Sequence, residues 1–136
     1  MKNFGKALII VLVFILSTSA TNVLCQGINV AVNDQYSVPP IIGNTQYVAQ
    51  WIVQDVNTFA YYTCNPNTVS WWYNNSCPAT SFTTNNPLTP SSTYVLWVRV
   101  DRYDYGSLVA TGQSRSSQFL GSSFPYIIFY MTVLVQ

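Results

Sequence analysis

Two segments of the chain alternate polar and apolar positions with a period of two. From Thr45 to Val53, Tyr47, Ala49, Trp51 and Val53 fall on one face, and Gln46, Val48, Gln50 and Ile52 fall on the other. From Tyr94 to Val100, the residues Tyr94, Leu96, Val98 and Val100 oppose Val95, Trp97 and Arg99. Such alternation lays one face of a strand on a core and turns the other to water or a partner. It places Trp51, Tyr94, Leu96 and Val98 in the core. Turn residues recur at Pro39-Pro40, Gly43-Asn44, Asn65-Pro66, Asn85-Asn86-Pro87 and Gly121-Ser122, with runs rich in Val, Ile, Tyr, Thr and Trp between them. Short strands between closely spaced turns predict an all-β sandwich or barrel. Past the N-terminal region no stretch carries helical periodicity.

The N-terminal region reads differently. Lys2 and Lys6 precede an apolar run from Ala7 to Leu16, and small residues follow, which is the pattern of a secretory signal peptide. Cleavage fits after Ala20 or after Cys25. The later site leaves no odd thiol and sets the boundaries at 1–25 for the signal and 26–136 for a single domain. The run falls short of the roughly 20 apolar residues that a membrane-spanning helix needs. A retained N-terminal helix is the alternative. The predicted mature part has three arginines against four aspartates, a net charge of −1, and no Lys, Glu or His. Nucleic-acid binding requires clustered Lys and Arg to neutralise phosphates, so this composition argues against it. Electrostatic attraction to a membrane surface is disfavoured on the same ground.

Cys64 and Cys77 remain after either cleavage, and in a secreted chain they are expected to form a disulfide. A bridge closing a loop of this length is worth about 3 kcal/mol. Asn74-Asn75-Ser76 is a glycosylation sequon inside that loop, and a glycan on Asn74 requires the loop to face solvent.

The phrase Leu88-Thr89-Pro90-Ser91-Ser92-Thr93-Tyr94 leads directly into the second alternating run. Leucine, proline two residues on and tyrosine four after that form a corner between sheets, with the tyrosine hydroxyl reaching back to the backbone. With Pro39-Pro40, Trp51, Tyr61-Tyr62 and the strand Tyr94 to Val100, this phrase resembles a fibronectin type III domain over roughly residues 36 to 119. The string Asn86 to Pro90, then Tyr94 and Arg99-Val100, is also similar to extracellular modules of receptor tyrosine phosphatases. The resemblance implies an antiparallel β-sandwich and a role in adhesion. The cysteine pair is foreign to the usual pattern, and no Arg-Gly-Asp tripeptide supports integrin binding.

Catalytic chemistry has few groups to draw on. Asp101 and Asp104 have the look of a carboxylate pair, but they lie beside Arg99 and Arg102 and read as a locally paired loop. No histidine stands ready to activate a serine, and no metal-ligand pattern or cofactor motif occurs. A non-enzymatic role is expected. Recognition has two candidate loops. Trp71-Trp72-Tyr73 cannot all point inward on one strand, so at least one ring faces out. Arg102, Tyr103 and Tyr105 have the composition of an adaptable binding loop, with a plain hairpin turn as the competing reading. The segment from Phe124 to Gln136 reads as a closing strand, a GPI signal or a strand donated between subunits. The expected protein is a secreted or cell-surface module that binds an extracellular protein or glycan through aromatic loops. The alternative is a filament or pilus subunit that associates through edge strands and keeps its N-terminal helix.

Overall fold

The computed structural model describes residues 23–136. The expected leader lies outside the described residues except for its last positions, Val23 to Cys25. Those positions lead straight into a strand, and Cys25 is fully buried opposite Phe82.

The chain forms β1 (Leu24–Asp34), β2 (Thr45–Asp55), β3 (Tyr61–Trp72), β4 (Thr80–Thr84), β5 (Thr93–Asp104), β6 (Ser107–Arg115), β7 (Phe119–Leu120), a 3-10 turn (Gly121–Tyr126) and β8 (Ile128–Val135). The all-β expectation holds. The strands form one sheet in the order β6-β5-β2-β3-β4-β1-β8, with β7 pairing β5. All pairings are antiparallel except that of β1 with β8, which is parallel from Gly27↔Ile128 to Asp34↔Val135. That pair is the departure from the antiparallel pattern expected. Of the readings of the C-terminal segment, the strand is the one observed: Phe129, Met131, Val133 and Val135 alternate into the core.

The sheet curls until β6 and β8 nearly meet, and no continuous ladder joins them among the described residues. At one end of this seam Gln136 N–H donates to Thr111 O at 3.4 Å. Nearby, β6 lies so close to β8 that a Cβ on Gly112 would sit 1.9 Å from Leu134 O. At the other end Ser114–Ser117 and Ile127–Thr132 diverge around a groove of about 330 Å3.

Alternation sorts the faces as the sequence predicts. Tyr47, Ala49, Trp51 and Val53 of β2 and Tyr94, Leu96, Val98 and Val100 of β5 are all buried. At the β4 end the core is aromatic. Trp51 packs on Phe82, Phe82 on Phe124 and Phe129, and Phe119 on Tyr94, Phe124 and Phe129, with ring centroids 5.3–6.3 Å apart. These are the offset and edge-on spacings that aromatic quadrupoles favour.

The corner ahead of β5 is built on Tyr94. Its hydroxyl accepts a hydrogen bond from Thr89 N–H at 2.9 Å, and Leu88 packs against the core. Pro90 O accepts from Ser122 N–H at 3.0 Å, which ties the corner to the 3-10 turn.

The expected Cys64–Cys77 disulfide is absent: all three cysteines are free. Cys64 sits on β3 opposite Thr84, its buried thiol near Tyr62 O and the Val53 backbone. Cys77 lies in the β3–β4 connection, its thiol turned to Pro78 O and the Val30 backbone of β1. The two side chains therefore serve different walls. Burial pushes the Cys64 thiol up to about 12 and the Cys25 thiol up to about 11, so neither is a ready nucleophile.

The close approach at the seam gives a test. Gly112→Ala should destabilise the protein by about 1–3 kcal/mol, the usual cost of overpacking. Gly27→Ala, where the nearest atom would be Thr80 O at 3.7 Å, should cost much less. Urea denaturation reads both, and equal midpoints for the two variants would contradict the seam contact.

Candidate functional site

A short strand leaves a window in the wall. β4 has 5 residues against 12 in β3, and its pairing with β1 ends at Ile28↔Thr80. From Asn29 onward β1 is paired with β8 alone. The upper halves of β1 and β3 are therefore separated, and the connection from Tyr73 to Ala79 runs across the gap. The result is an open cleft of about 460 Å3, within the range of small-ligand sites. Tyr47 and Trp71 form its inner aromatic surface, with ring centroids 5.7 Å apart. Tyr73 and Tyr130 stand on its rim, and Tyr130 is 77% exposed. Asn29, Asn75 and Ser76 add amide and hydroxyl groups.

A buried ionic cluster closes the barrel beneath this cleft. Arg102 has 0% exposure and donates to Asp104 through Nε at 3.0 Å and Nη2 at 2.8 Å. Its Nη1 donates to Asp34 at 2.9 Å. Tyr47 O–H also donates to Asp34, and Thr45 O–H donates to Asp104 at 2.7 Å. The Tyr36 ring lies 5.1 Å from the guanidinium carbon, within cation–π range. A bidentate pair with all three guanidinium nitrogens engaged is the geometry that makes a buried charge tolerable. Burial disfavours the Asp104 carboxylate, but the hydrogen bonds from Arg102 and Thr45 outweigh it and hold the group below the usual range. Asp34 lines the cleft, yet Tyr36 N–H, Tyr47 O–H and Arg102 already occupy it. Its carboxylate oxygens are thus engaged within the cluster. The cleft supplies stacking surfaces and neutral polar groups.

The residues singled out from the sequence divide. Trp71 and Tyr73 enter the cleft, Trp71 nearly buried. Trp72 and Tyr103 lie on the opposite, outer face, flanking Gln46 from either side. Asn74 is exposed beside Tyr73. Arg102 is corrected: it lies wholly inside the barrel, where its charge is consumed by two aspartates. The loop beyond it is a two-residue hairpin turn, Tyr105-Gly106, with φ of 52° and 79°. That is the type I′ geometry suited to strand twist. Tyr105 is 71% exposed at its tip, and its N–H donates to Asn44 O at 2.9 Å. Asp101 and Asp104 lie on β5 rather than in a loop and serve opposite faces, Asp101 bonding Arg99 and Thr111 outside.

No sequence pattern joins Asn29, Tyr47 and Tyr130, because they come from three strands and meet only where β4 ends. Among the described residues no cluster of metal-ligating side chains occurs, and no helix is long and apolar enough to cross a membrane. Comparison with protein-family models, curated proteins and solved structures finds no match.

Two outcomes follow from the cluster. Arg102→Ala leaves Asp34 and Asp104, whose side chains are each 11% exposed, without their cation and should cost about 3–5 kcal/mol in denaturant unfolding. The second concerns pH. Burial and then the Asp34 hydrogen bond and charge raise the Tyr47 hydroxyl well above its ordinary value, and burial raises Tyr62 as well. The folded state thus favours the neutral phenols. Their contribution is complete below about pH 10, the ordinary tyrosine value, and is lost as pH climbs from there towards the raised values. Stability should fall steeply above pH 10, and Tyr47→Phe should flatten that fall.

Proposed function

We propose that the protein is a secreted, non-catalytic binding module that takes a glycan in the cleft between β1 and β3. The observation behind this reading is the lining. Aromatic faces from Tyr47, Trp71, Tyr73 and Tyr130 surround the amides of Asn29 and Asn75 and the Ser76 hydroxyl. A sugar ring offers apolar C–H faces to stack on aromatic rings and hydroxyls that pair with amides. A largely pre-formed concave site with a few fixed polar groups is suited to such a ligand. A protein partner would call for a broader surface than this cleft presents.

Secretion rests on the leader pattern of Lys2, Lys6 and Ala7–Leu16. Because Cys25 fills the core opposite Phe82, we place cleavage after Ala20, which keeps β1 whole. A relation to fibronectin type III sandwiches is supported by the Tyr94–Thr89 corner bond. A glycan on Asn74 would stand at the rim of the cleft. The competing filament reading has one observation in its favour, the diverging edges of β6 and β8 around Ser114–Ser117 and Ile127–Thr132. Such edges can accept a strand from another copy.

Glycan-array screening followed by titration tests the cleft. Tyr73→Ala and Tyr130→Ala should each weaken binding by about tenfold, as loss of a stacked ring worth about 1–1.5 kcal/mol implies. Trp72→Ala, on the outer face, should leave it unchanged. If Trp72→Ala abolishes binding and the cleft variants do not, the site is elsewhere.

A further inference from the structure

The outer face of β2, β5 and β6 carries a second opening that originates in β3. Between Gln50 and Ile52 the β2–β3 register breaks, because β3 bows outward through Cys64–Asn67 to pair with β4 at Cys64↔Thr84 and Asn65↔Thr83. The gap forms a groove of about 440 Å3 that reaches Trp51 and Val98 of the core. Trp51 is only 3% exposed, and among the described residues its Nε1 is the buried side-chain polar atom left without a partner.

Across the mouth of this groove the register aligns Gln50, Arg99 and Gln113 in one row, and Ile52, Trp97 and Arg115 in the next. Tyr61 and Asn67 border it from β3, and Tyr61 is 64% exposed. Trp97 is held in place: its Nε1 donates to Gln54 Oε1 at 2.9 Å, and the Arg115 guanidinium carbon lies 5.9 Å from its ring. Arg99 Nε donates to Asp101 Oδ1 at 2.8 Å, a single bond that leaves its terminal nitrogens free for a ligand. Charge completes the picture. The third arginine of the described residues, Arg102, is spent inside the barrel on Asp34 and Asp104. Of the two solvent-facing arginines, Arg99 lines the groove and Arg115 stands beside it over Trp97, where it also borders the opening between β6 and β8. Only Asp101 lies on the same face to balance them.

We infer that this groove binds an anionic saccharide. Its carboxylate or sulfate would pair with Arg99 and Arg115, its hydroxyls with Gln50, Gln113 and Asn67, and a ring face with Tyr61. Planar guanidinium forks match either anion, and amide side chains both donate to and accept from hydroxyls. The site is separate from the cleft between β1 and β3 and stands whether or not that cleft binds a glycan.

Calorimetric titration of the full chain with three tetrasaccharides tests this: an oligogalacturonate, a heparin-derived tetrasaccharide and neutral maltotetraose. The expected result is binding of one or both acidic probes and none of maltotetraose, with affinity falling as salt rises. Carboxylate or sulfate preference then identifies the anion. Arg99→Gln and Arg115→Gln should each weaken binding about tenfold, with unchanged thermal unfolding and no effect from Tyr73→Ala. Equal affinity for maltotetraose would overturn the proposal. So would undiminished binding in both arginine variants, or no binding of either acidic probe by folded protein. Loss of acidic binding through Tyr73→Ala alone would assign the anion to the other cleft and refute the groove.

Discussion

β3 is required to pair with two neighbours that do not lie in one plane. Its ends run beside β2, from Gln54↔Tyr61 to Ile52↔Thr63 and from Gln50↔Thr68 to Gln46↔Trp72, while its middle leaves β2 to meet β4. That divided allegiance lets a single sheet bend far enough to bring β6 and β8 together. It also determines where the wall is open. The groove beside Trp51 lies where β3 departs from β2, and the cleft beside Tyr47 lies where short β4 fails to accompany β3 to its end. Both candidate sites are consequences of how the sheet closes.

The two ends of the barrel are filled by different physics. One holds a run of rings from Trp51 through Phe82, Phe124 and Phe119 to Tyr94, where burial of apolar surface dominates. The other holds Arg102, whose hydrogen bonds must be complete because an uncompensated ion there would be costly. The polar end fixes positions as well as filling space. Asp34 ends β1, Thr45 opens β2 and Asp104 ends β5, so the cluster staples three strand termini around one guanidinium.

The strands of β2 and β5 were legible because their alternation is strict and each has one buried face. The Tyr94 corner was legible because it is local, spanning only Thr89 to Tyr94. Arg102 was not. A charged residue between Asp101 and Tyr103 resembles a surface position, and only pairing with Asp34, 68 residues away, makes it internal. The cysteines failed for a related reason. Their spacing permits a bridge, but the excursion at Cys64–Asn67 commits Cys64 to β4 while Cys77 turns to β1. The cleft depends on the length of β4, which no periodicity over 5 residues specifies.

The parallel pairing of β1 with β8 has a consequence for how the molecule is made. The first described strand finds its lasting neighbour in the last, so most of the chain must be synthesised before Asn29–Asp34 has any partner. Contacts so distant in sequence place the protein at the slow end of folding rates. Until Val135 emerges, β1 presents an open, apolar edge to whatever else is nearby. A chain interrupted before Ile128 would retain the β5 corner, the ionic cluster's residues and both candidate sites' β2 and β3 walls, yet it would lack the strand that closes the sheet. Such a fragment is a substrate for chaperones or aggregation rather than a smaller working domain.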